Sequence, residues 1–223
     1  MLKSESVISA DLNAFGYFGG TFDPIHNGHL QMATELKQAC CFEQMFLLPC
    51  RNPPHRSSPA CSDAQRLEMV RLAIADSNSL RLDDREYQRT SLSYTIDSLI
   101  ELRCELGDSA SISWCVGLDS LVNLNSWHRW RELLDYAHLV VVERPGWQIP
   151  DMGEVAQWLN QNRASADVLR SKSCGNVIVQ SLSLVDVSAT DIRGRIKSKK
   201  SVQFLLPDAV WRYVTQNQLY QND

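Results

Sequence analysis

The chain has 223 residues, 44% of them apolar and 22% charged, enough to bury the core of one domain. Its formal net charge of −4 excludes a global basic field for nucleic acid, and no apolar run approaches the ~20 residues that span a bilayer. Seven cysteines with no Cys-x-x-Cys argue against a disulfide framework and against structural zinc.

Residues 1–13 show no periodicity and read as a mobile extension; without a signal-peptide apolar core, they leave the cytoplasm as the expected compartment. Residues 14–18 read as a strand that ends in Gly19-Gly20. A polar loop follows, with Thr21, Phe22 and His26, and Gly28-His29 opens a helical pattern to about residue 41. Strand, tight turn and helix N-terminus form the setting in which open α/β sheets bind phosphates. The glycines are expected to let the backbone approach a ligand and to accept positive φ. His26 and His29, three residues apart, share a helix face and can point at one group.

Residues 44–49 form an apolar run closed by proline, a buried parallel strand that completes a βαβ unit. Residues 50–62 then hold Arg51, His55, Arg56 and several prolines, either a solvated connection or a phosphate-facing loop at a strand's carboxyl end. Ser62, three residues before Gln65, starts a helix to about residue 76, with Leu67, Val70, Leu72 and Ile74 apolar. Residues 80–87 read as an edge strand and 93–106 as a helix ended by Gly107, its Ser/Thr start a plain cap.

Residues 111–116 alternate and reach Gly117-Leu118-Asp119-Ser120, a second strand-to-helix turn. Asp119 there either bonds a ribose hydroxyl or caps the helix. Trp127 and Trp130 follow, and a buried tryptophan is more often core than ligand platform. Residues 138–143 and 177–182 read as strands, 152–170 as one or two surface helices. The helix opened by residues 187–193 offers Thr190 as a cap and Arg193 as a solvated base, or both as phosphate ligands. A closing helix over 207–219 turns Val210, Trp211, Val214 and Leu219 inward. Cys40, Cys104 and Cys115 read as core, and Cys50 and Cys61 as exposed thiols.

Gly-Gly-Thr-Phe-Asp-Pro-Ile-His-Asn-Gly-His-Leu, residues 19–30, resembles the HxGH signature of the nucleotidyltransferase superfamily. In its fuller form it closely resembles the bacterial nicotinate-mononucleotide adenylyltransferases. The likeness extends through Asn-Pro-Pro-His-Arg at 52–56, Ser-Tyr-Thr at 93–95, Gly-x-Asp-Ser at 117–120, and 187–193, covering about residues 15–220. Ala189 departs from the family's second serine and removes one hydroxyl.

The resemblance implies a Rossmann-like α/β fold, an open and mostly parallel sheet with helices on both faces, as a single domain over 14–223. It implies adenylyl transfer from ATP to nicotinate mononucleotide, giving nicotinate adenine dinucleotide and pyrophosphate, with Mg2+ carried by the ATP and no metal held by the chain alone. His26, His29 and Arg193 would be catalytic. Gly19, Gly20, Thr21, Phe22, Gly117, Asp119, Ser188 and Thr190 would bind ATP. His55 and Arg56 would contact phosphate. Thr95, the Trp127 ring and the backbone near His128 would take the nicotinate.

The expected partners are these two small molecules, with no nucleic acid and no membrane, and a monomer or small homo-oligomer. Rival readings are a relative that uses nicotinamide mononucleotide or phosphopantetheine, and a non-catalytic nucleotide sensor. The likeness of residues 204–220 disfavours the phosphopantetheine enzymes. Lys-Ser-Lys-Lys-Ser at 197–201 looks like the KMSKS loop of class I aminoacyl-tRNA synthetases, but the chain is short, acidic and lacks a tRNA-binding segment.

Overall fold

The computed structural model describes residues 11–53, 59–143, 152–182, 185 and 187–221. The described strands are β1 (Ala14–Gly20), β2 (Gln44–Pro49), β3 (Leu80–Leu82), β4 (Ser111–Gly117), β5 (His138–Glu143) and β6 (Val177–Ser181). They form one sheet in the order β3-β2-β1-β4-β5-β6, and every neighbouring pair is parallel. The chain therefore winds outward from β1 to one edge, returns beside β1 as β4, and winds to the other edge. Where the winding reverses, the two flanking loops part and leave a crevice at the strands' carboxyl ends.

Helices cover both faces. Against one pack α1 (Asn27–Ala39), α2 (Asp63–Ala73), α7 (Ala189–Lys197) and α8 (Asp208–Gln216). Against the other pack α3 (Thr95–Leu106), α4 (Leu118–Val122), α5 (Leu133–Tyr136) and α6 (Glu154–Asn162). Strand residues alternate between the two cores, as period-2 pleating requires: Phe18, Leu47 and Val140 face α1, while Tyr17, Leu48 and Val141 face α3. The alternation in β4 does not mark a half-solvated strand. All seven of its residues are buried, because helices press on both sides.

Several local expectations change. Residues 80–87 give only three strand residues, followed by a 3-10 turn at Arg85–Gln88. Cys104 is exposed and Cys61 is buried, the reverse of the expected placement, and all seven cysteines are free. Burial pushes the Cys61 thiol up to about 11 and the half-buried Cys50 thiol up to about 12, so neither is a reactive thiolate. Val210, Val214 and Leu219 are buried, but Trp211 is 39% exposed. Residues 1–10 lie outside the described chain, and Leu12 is tied down through its N–H to the Arg170 carbonyl (2.9 Å).

Candidate active site

Two cavities, of about 370 and 380 Å³, lie over the carboxyl ends of β1 and β4. They share a wall made by Gly19, Gly20 and Thr21 from β1 and its loop, and by Val116, Asp119 and Ser120 from the β4–α4 turn. The sheet's reversal point thus carries one bilobed groove.

The glycines at its floor are needed for space, not for unusual φ. A Cβ on Gly19 would lie 2.4 Å from the Trp114 ring, and one on Gly20 would lie 2.7 Å from the Phe22 ring. The residue in the left-handed region is Phe22 itself, at φ 49, its ring buried edge-on against His29. That corrects the expectation of positive φ at the two glycines.

The first lobe holds the signature loop. His26 is the N-cap of α1: its Nδ1 accepts the His29 N–H, and the His29 Nδ1 accepts the His26 N–H, both at 3.3 Å. This reciprocal pairing is a capping box built from imidazoles. The rings stack with centroids 3.6 Å apart. Because each Nδ1 accepts a backbone hydrogen, each ring carries its proton on Nε2, and both rings line the lobe. The His-x-x-His spacing holds the signal for this cap, but it suggested only a shared face.

Across the lobe, Ser188 caps α7 through its Oγ, which accepts the Asp191 N–H at 3.1 Å. The cap is therefore Ser188 rather than Thr190. Arg193 donates through Nη1 to the Asp23 carbonyl (2.7 Å) and through Nη2 to Thr190 Oγ1 (3.3 Å), bridging α7 to the signature loop. The N-termini of α1 and α7 both border this lobe, a concentration of partial positive charge that suits phosphate oxygens.

The second lobe is lined by Tyr94, Thr95, Trp127 and His128, with Asp119 on the shared wall. Trp127 is half-buried there, whereas Trp130 is core, edge-on to Trp158 at 5.3 Å. The His128 ring lies 4.5 Å from that of Tyr94. Ser93 is not a helix cap: it is buried, and its Oγ accepts the Asn52 N–H (3.1 Å), fastening the loop after β2 to the start of α3. Gly117 closes β4 and precedes α4.

Of the basic loop after β2, His55 and Arg56 lie outside the described residues. Arg51 turns to Asp63, 3.0 Å away, and its hydrogen bond holds that carboxyl below the usual range. One arginine escaped the sequence reading. Arg66 is 1% exposed and donates to the carbonyls of Thr21 (2.9 Å), Arg51 (2.7 Å) and Cys50. It clamps the ends of β1 and β2 beneath the groove. Its signal was its place in the buried stripe of α2 with Met69 and Val70, where a charge is out of pattern. Leu67 and Leu72 are only half-buried.

The cytidylyltransferase-like family matches residues 17–195. A protein from Cellvibrio japonicus named probable nicotinate-nucleotide adenylyltransferase is 50% identical over 206 residues, 92% of this chain and 98% of its own length. One of the same name from Aeromonas hydrophila is 47% identical over 92% of this chain and 96% of its own. A solved structure of the Plasmodium falciparum nicotinic acid mononucleotide adenylyltransferase complexed with NaAD superposes with a TM-score of 0.74, covering 95% of this chain and 98% of that one. At 16% identity that likeness speaks to the fold alone. The long, near-complete matches settle the family: this chain belongs to the cytidylyltransferase-like family and, within it, to the nicotinate-nucleotide adenylyltransferases.

Proposed function

We propose that the chain transfers the adenylyl group of ATP to nicotinate mononucleotide. A phosphate oxygen of the mononucleotide bonds to the α-phosphorus, the α–β bridging bond breaks, and pyrophosphate leaves. The product is nicotinate adenine dinucleotide. The observation that carries this reading is the bilobed groove, whose lobes meet at Gly19–Thr21 and Asp119. One lobe has donors suited to a polyphosphate, the other an indole suited to a pyridine ring. The relatives' names support the same reaction.

The attacking phosphate is already anionic, so neither a general base nor a covalent nucleophile is needed. Catalysis is positioning together with stabilisation of charge on the phosphates. The Nε2–H groups of His26 and His29 would hold phosphate oxygens on one side, with Arg193, Thr190 and the N-terminus of α7 on the other. Asp119 would take a ribose hydroxyl. Thr95 and the backbone at His128 would meet the nicotinate carboxylate while Trp127 stacks on the ring, and His55 and Arg56 would add phosphate contacts. Among the described residues no group of three or more His, Cys, Asp or Glu side chains could hold a metal ion. We write Mg2+ as part of the substrate, bound to the ATP phosphates.

No helix among the described residues is long and apolar enough to cross a membrane. Seven free thiols fit a reducing compartment, and we assign the cytoplasm. Trp127→Ala tests the acceptor lobe. We expect KM for nicotinate mononucleotide to rise about tenfold, the value of one aromatic stack, with KM for ATP unchanged. Equal rises in both KM values would remove Trp127 from the pyridine site.

A further inference from the structure

Asp23 sits in the signature loop, 6% exposed, and three distant segments meet on it. Its Oδ1 accepts from the Tyr220 hydroxyl at 2.7 Å, its Oδ2 from the Ala60 N–H at 2.7 Å, and its carbonyl from Arg193 at 2.7 Å. A buried carboxylate is costly unless its oxygens are paired, and here each has a partner. Burial first, then the Asp23 charge, pushes the Tyr220 phenol well above its ordinary range, so it stays a hydrogen donor.

The chain goes out of its way to make this contact. Tyr220 follows α8 in the left-handed region at φ 62, which a bulky residue disfavours, with Leu219 buried just before it. A tyrosine placed only to fill space would not need a 2.7 Å bond to a loop 197 residues away.

We propose that Tyr220 is a positioning residue for adenylyl transfer: its hydroxyl fixes the Asp23 carboxylate, and with it the carbonyl on which Arg193 rests at the ATP-side lobe. The proposal rests on the reading that Arg193 serves ATP phosphates. Neither Tyr220, Asp23 nor Arg193 lines the acceptor lobe, so the effect should fall on one substrate.

The test is a double-mutant cycle of Tyr220→Phe with Arg193→Ala, read by steady-state kinetics and by calorimetric binding of α,β-methylene-ATP. Phe keeps the ring and removes only the hydroxyl. Tyr220→Phe alone should lower kcat roughly tenfold and weaken analogue binding, with KM for nicotinate mononucleotide unchanged. In the Arg193→Ala background it should change neither by more than about twofold, since the coupling has gone. The same loss in both backgrounds, or no loss in the wild type, would overturn the proposal. Asp23→Ala removes the acceptor of both the Tyr220 hydroxyl and the Ala60 N–H; it should show the same coupling to Arg193 and serves if Tyr220→Phe does not fold. A wild-type chain that binds the analogue without transferring adenylyl would overturn the proposed reaction, and the binding cycle alone then decides the role of Tyr220.

Discussion

Replacing His29 with alanine should lower kcat for adenylyl transfer on the order of 10²–10³, equivalent to about 3–4 kcal/mol of transition-state stabilisation. The geometry adds a second, separable cost. His29 Nδ1 is half of the imidazole capping box, so alanine also leaves the His26 N–H without that acceptor and should cost about 1 kcal/mol of stability. His29→Asn separates the two roles. Its amide oxygen can take the place of Nδ1 and keep the cap, but nothing replaces the Nε2–H. The asparagine variant should therefore unfold near the wild-type temperature and remain as slow as the alanine variant. A kcat loss under tenfold in a folded His29→Ala enzyme would remove the ring from the mechanism.

The largest stability effect should come from Arg66→Met. Three carbonyls at the ends of β1 and β2 would lose a charged donor at once. Each buried acceptor left unpaired costs about 1–3 kcal/mol, so the sum over the three is on the order of 3–9 kcal/mol. That is a large part of the roughly 5–15 kcal/mol that holds a domain together. Urea unfolding followed by tryptophan fluorescence measures it directly. Arg66→Lys should recover only part of the loss, because a point charge cannot fork onto three carbonyls. A destabilisation below about 1 kcal/mol would mean that water satisfies those carbonyls and that Arg66 is not the clamp.

What the sequence made legible was mostly what periodicity and punctuation encode. The apolar runs at 44–49 and 138–143 are strands because they are buried on both faces, and Gly107 ends α3 at φ 74 as its position predicts. The groove residues His26, His29, Asp119, Thr95 and Trp127 were legible because their motifs follow strand ends, where loops of this architecture converge.

The misses have a common cause: they depend on contacts across the chain. Nothing local tells Cys61 that Tyr220 will lie beside it, or Cys104 that its helix face is solvated. Gly19 and Gly20 looked like flexible turn residues, yet their smallness answers to Trp114 and to Phe22, and only the first of those is far away in sequence. The out-of-pattern charge in the buried stripe of α2 marks Arg66, but neither its role nor that of Tyr220 is legible locally, for the same reason. Their partners are carbonyls and one carboxylate that the fold alone brings within reach.

Pyrophosphate release from MgATP, measured in parallel with nicotinate mononucleotide, nicotinamide mononucleotide and phosphopantetheine, tests the central claim most directly. The account predicts fast release with nicotinate mononucleotide and little with the other two. Equal rates with both mononucleotides would keep the chemistry and contradict the carboxylate pocket at Thr95 and His128. Release with phosphopantetheine alone, or with none of the three, would contradict the assigned reaction itself.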